Sequence, residues 1–210
     1  MLLTPDLETE RALWAQGRTR LGAVDEVGRG CLAGGIWAGA VLVTPGIEMI
    51  KGVRDSKTLS AAARRRLETE IRAQLPVGLG AASVAEIDRL GINAANALAM
   101  ARAIARLGPL DWVLLDGLPI AGFEGRVGPC TAIIDGDALC YSIAAASIVA
   151  KVGRDHLMAR LAVRHPGYAW EQNAGYGSPT HLAALRELGP TVQHRRSFAP
   201  LRQMLEAASR

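Results

Sequence analysis

Two apolar runs rich in Val, Leu and Ile, Arg20 to Val27 and Gly35 to Val43, stand on either side of a glycine-containing turn and predict a hairpin of buried strands. Ser60 then suits the N-cap of a helix whose Leu67, Ile71 and Leu75 recur every four residues. Val77 to Val84 reads as a third strand. The alanine-rich Ala94 to Leu107 reads as a helix stopped by Gly108-Pro109. Trp112 to Leu115 predicts a short buried strand ending at Asp116-Gly117, and Thr131 to Ile134 another, followed by a long helix from about Tyr141 to Val163. A loop, His165 to Pro179, precedes two further helices, about Thr180 to Leu188 and Pro200 to Ala208. Strands come first as a meander and later alternate with helices, so the order implies an α/β protein with a central mixed sheet flanked by helices.

Half of the 210 residues are apolar and 21% are charged, which suits one globular domain over 1–210, its carboxy-terminal part from about 180 helical. The longest apolar stretches, Leu32 to Val43 and Ala138 to Ala150, fall short of the ~18 to 20 residues of a membrane span. No membrane association is expected. The amino terminus, Met-Leu-Leu-Thr-Pro-Asp, reaches an acidic residue too soon for a signal-peptide apolar region. Cys31, Cys130 and Cys140 are odd in number, widely spaced and free of any CxxC pair, as in a reducing cytoplasm and without zinc. The net charge of +4 is compatible with a phosphate-rich partner and equally with many enzymes of small metabolites.

Chemistry enters where polar residues break the pattern. Asp25 and Glu26 interrupt or end the first strand, Asp116 ends the fourth, and Asp155 lies on the long helix. Carboxylates grouped at strand ends point to a hard divalent cation; singly, Asp116-Gly117 reads equally well as a turn and Asp155 as a solvated helix face. In a regular strand Asp25 and Glu26 face opposite sides, so both join one site only where the strand ends or bulges. Ser147, Lys151 and Asp155, four residues apart, stack on one face of an otherwise apolar helix, where a surface ion pair is the plainer alternative. Gly28, Arg29 and Gly30 form a loop whose backbone can approach a ligand closely. The stretch from Lys51 to Lys57 suits phosphate oxygens or an ordinary solvated turn. The loop from His165 to Gly177 carries Tyr168, Trp170 and Tyr176, which suit stacking on a base or sugar, with Trp170 better read as an anchor to the core.

In this order, Val24-Asp25-Glu26-Val27-Gly28-Arg29-Gly30, Asp55-Ser56-Lys57, Leu115-Asp116-Gly117, Ser142 to Asp155, Gly175-Tyr176-Gly177 and His194 to Pro200 resemble the type 2 ribonucleases H, the ribonuclease HII family. The resemblance runs from about Leu21 to Arg202. It implies a ribonuclease H-like fold with a helical carboxy-terminal extension over the substrate groove. It also implies endonucleolytic hydrolysis of RNA in RNA–DNA hybrids, and cutting 5′ of single ribonucleotides in duplex DNA. Position by position, Asp25, Glu26, Asp116 and Asp155 match metal-binding carboxylates. Gly28, Arg29 and Gly30 match the loop that reads the ribose 2′-hydroxyl, Tyr176 the residue that stacks on the adjoining deoxyribose, and Lys57 a phosphate contact; Ser147 and Lys151 complete the expected substrate-binding set. The chain departs from the family pattern at Cys31 and Gly35, where prolines are usual, and at Asp135, where a lysine often stands before Gly-Asp.

Carboxylate-only ligation suits two Mg²⁺ or Mn²⁺ ions, which at roughly 3.5 to 4 Å separation activate a water and neutralise a leaving 3′-oxygen, giving 3′-hydroxyl and 5′-phosphate ends. No histidine is needed as base, so His156, His165, His181 and His194 are read as structural. The expected partner is nucleic acid, and a cytoplasmic monomer is expected. Rival readings are a nuclease restricted to long hybrids or four-way junctions, against which the Gly-Arg-Gly and Gly-Tyr-Gly motifs argue, and a binding protein without catalysis, against which the four carboxylates argue.

Overall fold

In the computed structural model, which describes residues 4–208, the apolar runs assemble into a five-stranded sheet. The first three residues of the amino-terminal segment considered above lie outside the described residues. Helix α1 (Glu8–Trp14) precedes strands β1 (Leu21–Val27) and β2 (Ile36–Val43), helix α2 (Ala61–Gln74) and strand β3 (Val77–Ala82). Helices α3 (Val84–Leu90) and α4 (Ile92–Ile104), strand β4 (Trp112–Asp116), the one-turn α5 (Glu124–Val127), strand β5 (Cys130–Ile133) and the one-turn α6 (Gly136–Leu139) follow. The long α7 (Tyr141–Arg164), one-turn α8 (Trp170–Asn173), α9 (Pro179–Leu188) and α10 (Ala199–Ala208) complete the chain. Strand order is β3-β2-β1-β4-β5. The first three strands form an antiparallel meander, and β4 joins parallel to β1 and β5 parallel to β4, the mixed sheet the pattern predicts.

Alternation along the strands divides the interior into two cores. Leu21 and Ala23 of β1, Val41 and Val43 of β2 and Leu114 of β4 pack under α7 and α2. Val24, Ala38, Ala40, Leu42, Val113 and Leu115 pack under α4 on the opposite face. Helix α7 lies so close to β2 that a Cβ on Gly39 would stand 2.5 Å from the Ala146 carbonyl oxygen. A third core joins the carboxy-terminal half of α7 to Trp170, Leu185 and Leu201, and Trp170, 1% exposed, anchors its loop there.

Several boundaries differ from those read in the pattern. The third strand stops at Ala82 rather than Val84, because Ser83 and Glu86 form a reciprocal capping box that starts α3. Helix α1 was not expected; it is short and buries only Glu10 and Leu13. The alanine-rich helix starts at Ile92, two residues early, and its last turn tightens to a 3₁₀ turn over Ala105–Leu107. The loop from His165 contains α8, and Ser178 caps α9 with Pro179 in its first turn.

Candidate active site

The register of the sheet builds an acidic cluster from three separate elements. β1 pairs with β4 as far as Val24 opposite Leu115, so Asp25 and Asp116 are the next residues on adjacent strands. Each stands two residues beyond a side chain of the α7 core, Ala23 and Leu114, and so shares that face. β5 then returns the chain beside Asp116, and α6 brings in Asp137, whose amide donates to Asp116 Oδ1 at 3.2 Å. One carboxylate oxygen from each of Asp25, Asp116 and Asp137 lies within 4.8 Å of the others. Glu26, of opposite parity, remains in regular pairing with Ala38 and lies toward α4, where the Asn96 side chain hydrogen-bonds it. No bulge is needed: the two neighbouring acids flank the end of the sheet from its two faces.

The cluster is electrostatically costly. Burial, followed by repulsion from Asp116, Glu26 and Asp137, raises the Asp25 pKa well above the usual carboxylate range. Burial and the Asp137 charge raise Asp116, and burial raises Glu26 against the Asn96 hydrogen bond. The cation within reach is Lys57, whose Nζ lies 3.0 Å from Asp137 Oδ2. Burial would depress this ammonium, but the hydrogen bond and charge of Asp137 outweigh it and raise its pKa. A set of hard oxygen donors with raised pKa values fits Mg²⁺ or Mn²⁺, since a bound cation offsets the repulsion that desolvation leaves.

Asp155 is not in this cluster. Its carboxylate accepts from Lys151 Nζ at 2.5 Å and faces Arg64 Nη2 at 3.7 Å. The reason is length: two turns beyond Ser147 on α7, it lies roughly 12 Å farther along the helix axis, whereas α6 delivers Asp137 directly beside β4. The structure thus brings Asp25 and Asp116 together with Asp137 and leaves Asp155, expected as the fourth metal-binding carboxylate, outside that group. Asp137 was missed because it sits in a four-residue helix at the edge of an apolar run; its signal was a second Gly-Asp acid just past a strand end. Ser147, Lys151 and Asp155 do stack on one face, with Ser147 Oγ donating to the Ala144 carbonyl and accepting from the Ser56 amide at 3.4 Å. That contact ties the loop bearing Lys57 to α7.

A cavity of about 240 Å³ gathers Asp25, Glu26, Asp116, Gly28, Arg29, Gly30, Lys57, Ser147, Lys151 and Tyr176 along its walls. A larger cavity of about 620 Å³ shares Glu26, Arg29 and Asp116 and continues past Asn93, Asn96 and Arg126, so the acids stand at the junction of one long trough. The Gly-Arg-Gly loop between them is held from beneath by two arginines that sequence reasoning did not single out. Arg195 donates to the carbonyls of Gly28, Arg29 and Gly34 at 2.7 to 2.9 Å. Arg154 donates to those of Ala33, Gly35 and Ala174 at 2.8 to 3.3 Å. Gly28, at φ +87°, sits against Arg154 so closely that an added Cβ would meet its guanidinium, while a Cβ on Gly30 would meet nothing within 4 Å. Tyr176 lines the trough and is 45% exposed.

Comparison with known proteins finds the chain's likenesses among the ribonucleases H. A family model described as Ribonuclease HII matches residues 21–201. A protein named Ribonuclease HII from Synechococcus sp. (strain JA-3-3Ab) is 50% identical over 206 residues, covering 97% of this chain and 92% of the relative. Another of that name, from Cereibacter sphaeroides (strain ATCC 17025 / ATH 2.4.3), is 53% identical over 202 residues, covering 96% of this chain and 94% of the relative. Among solved structures, a chain of the PCNA:RNase HII complex from Archaeoglobus fulgidus superposes with a TM-score of 0.72 at 25% identity, covering 86% of this chain and 95% of that one.

Proposed function

The chain belongs to the ribonuclease HII family, endoribonucleases that hydrolyse the RNA strand of RNA–DNA hybrids, and we propose that it also cuts 5′ of a single ribonucleotide in duplex DNA, leaving 3′-hydroxyl and 5′-phosphate ends. The observation that carries this reading is the trough itself, where Asp25, Glu26 and Asp116, a glycine-flanked loop and an exposed tyrosine line one cavity, with Asp137 beside Asp25 and Asp116. Asp25, Glu26, Asp116 and Asp137 would hold Mg²⁺ or Mn²⁺. Two such cations supply, when bound, an activated water and neutralisation of the leaving 3′-oxygen.

The chain's own residues then do the positioning. The backbone around Gly28 and Gly30 reaches the ribose 2′-hydroxyl, which can both donate and accept and so separates RNA from DNA. Lys57 and Lys151 face phosphate, and Asp155 holds Lys151 in place through their ion pair. Tyr176 lays its ring on the deoxyribose that follows the ribonucleotide, Arg29 covers the loop by bonding Asn93, and Ser147 fixes the loop that carries Lys57. Every residue named comes from one chain, so a monomer suffices, with 1–210 acting as one catalytic unit; three free cysteines suit a reducing cytoplasm.

The test is incubation with Mn²⁺ or Mg²⁺ and either a long hybrid or a duplex containing one ribonucleotide. Both substrates should be cut, the second on the 5′ side of the ribonucleotide; a lone-ribonucleotide duplex that is bound and left intact would overturn the junction reading. Tyr176→Ala should lower kcat/KM at the lone ribonucleotide at least ~10-fold, about 1.4 kcal/mol, and lower it less on the long hybrid.

A further inference from the structure

Tyr176 owes its place to groups outside the trough. Its carbonyl oxygen lies 2.8 Å from His181 Nδ1. On the other side of that ring, His181 Nε2 lies 3.0 Å from Trp170 Nε1 and 3.1 Å from His194 Nε2. His194 Nδ1 lies 2.9 Å from the Thr191 amide and 3.0 Å from Thr191 Oγ1. Both imidazoles are buried, and neither lines the cavity that holds the acids.

Donor and acceptor chemistry assigns every proton in this chain of contacts. A carbonyl only accepts, so His181 carries its proton on Nδ1. An indole N–H only donates, so His181 Nε2 is bare and accepts. His194 Nε2 faces that bare nitrogen and therefore carries the proton. The Thr191 amide only donates, so His194 Nδ1 is bare and accepts. One pair of neutral tautomers sets a donor against an acceptor at every contact, the single lone pair of His181 Nε2 being shared between Trp170 and His194, and the opposite tautomer of either ring would set two N–H groups, or two bare acceptors, against each other.

We infer that His181 and His194 are positioning residues for Tyr176, a tautomer-locked pair that fixes the backbone of the Gly-Tyr-Gly segment and so the point at which the tyrosine ring meets the sugar. The inference rests on the reading of Tyr176 given above. The ring is partly exposed, so its position depends on the backbone beneath it. On the amino-terminal side the Leu32 and Ala33 amides hold the Gly175 carbonyl; at Tyr176 itself the other backbone contacts are local, from its amide to the Asn173 carbonyl and from the Ser178 amide to its carbonyl. The histidine pair links it to α9 and to the segment after it.

The experiment compares the ratio of kcat/KM at a lone ribonucleotide to kcat/KM on a long hybrid in five proteins: wild type, Tyr176→Ala, His181→Leu, His194→Leu and His181→Asn. Both leucine variants should lower the ratio by ~3-fold or more, while His181→Asn, whose amide can still donate to the Tyr176 carbonyl, should recover most of it. Nitrogen-15 NMR of the wild-type imidazoles should show His181 protonated at Nδ1 and His194 at Nε2, and that spectrum decides the matter if a leucine variant fails to fold. Opposite tautomers, or leucine variants that leave the ratio unchanged while Tyr176→Ala lowers it, would overturn the histidine pair and leave the Tyr176 reading standing. A ratio unmoved by Tyr176→Ala would instead overturn the Tyr176 reading.

Discussion

Two groups of buried charge lie on either side of the Gly-Arg-Gly loop and are compensated in opposite ways. Beneath the loop, Arg154 and Arg195 are fully buried and form no ion pair among the described residues, yet each guanidinium donates to three backbone carbonyls. In front of it, Asp25, Asp116 and Asp137 face one another, with Lys57 paired to the last. The cationic pair is held by fixed backbone dipoles, although burial still lowers the Arg195 pKa to about 10, and serves as scaffold. The acidic trio is under-compensated, and the raised pKa values of Asp25 and Asp116 are the mark of a place kept for an exchangeable cation.

The largest effect should come from breaking the acidic side. Asp137→Asn, Asp25→Asn and Asp116→Asn should each cut turnover in Mg²⁺ by ~10³-fold or more, whereas Asp155→Asn, which loosens Lys151 and Arg64, should cost less than ~10-fold. Steady-state rates on a long hybrid check this ordering, and a severe loss in Asp155→Asn with a mild one in Asp137→Asn would reverse it. On the cationic side, Arg195→Met leaves the buried carbonyls of Gly28 and Gly34 and the part-buried one of Arg29 without their charged donor, at ~1 to 3 kcal/mol each. Urea unfolding should show a loss on the order of 3 kcal/mol or more; a loss below about 1 kcal/mol would mean that the loop does not depend on this clasp.

The histidine pair behind Tyr176 sharpens the same contrast through pH. Burial, with the neighbouring His181 and His165, depresses His194 from 6.5 to about 4, and burial lowers His181 as well. The folded state therefore binds fewer protons than the unfolded chain between these values. The His194 contribution, roughly 3 kcal/mol at full strength, is present above pH 6.5 and lost as pH falls toward 4. His194→Gln should flatten that limb of the stability profile in denaturant titrations between pH 7 and 4, and an unchanged slope would refute the assignment. The smallest effect separates two glycines of one loop. Gly28→Ala, strained at φ +87° and pressed on Arg154, should lose more than ~1 kcal/mol of stability. Gly30→Ala, with open space around it, should stay within ~0.5 kcal/mol of wild type while weakening kcat/KM on both substrates. Equal melting temperatures for the two variants would remove the distinction.

These contrasts also explain what was legible in the sequence. The five strands could be read because they are continuous apolar runs, and Asp25, Glu26 and Asp116 could be singled out because they break those runs at strand ends. Asp137 could not, since its place beside Asp116 depends on the pairing of β5 with β4 and on a single helical turn. Asp155 stands apart from that group for the converse reason. Its i,i+4 partner Lys151 is local and visible, but Arg64, far away in sequence, completes an ion-pair group that draws it away from the acids. Arg154 and Arg195 were invisible as scaffold because their partners are backbone carbonyls, which carry no residue signature. The capping box at Ser83 and Glu86 was present in the sequence and ended a strand that apolar composition alone extended.

Calorimetric titration of Mn²⁺ into the substrate-free protein and into Asp137→Asn and Asp155→Asn tests the acidic cluster most directly. Asp137→Asn should lose at least ~10-fold in Mn²⁺ affinity, because one of three converging carboxylates is gone. Asp155→Asn should bind Mn²⁺ within about a factor of two of wild type, because its carboxylate is committed to Lys151 and Arg64. Wild-type affinity in Asp137→Asn together with lost affinity in Asp155→Asn would contradict both expectations.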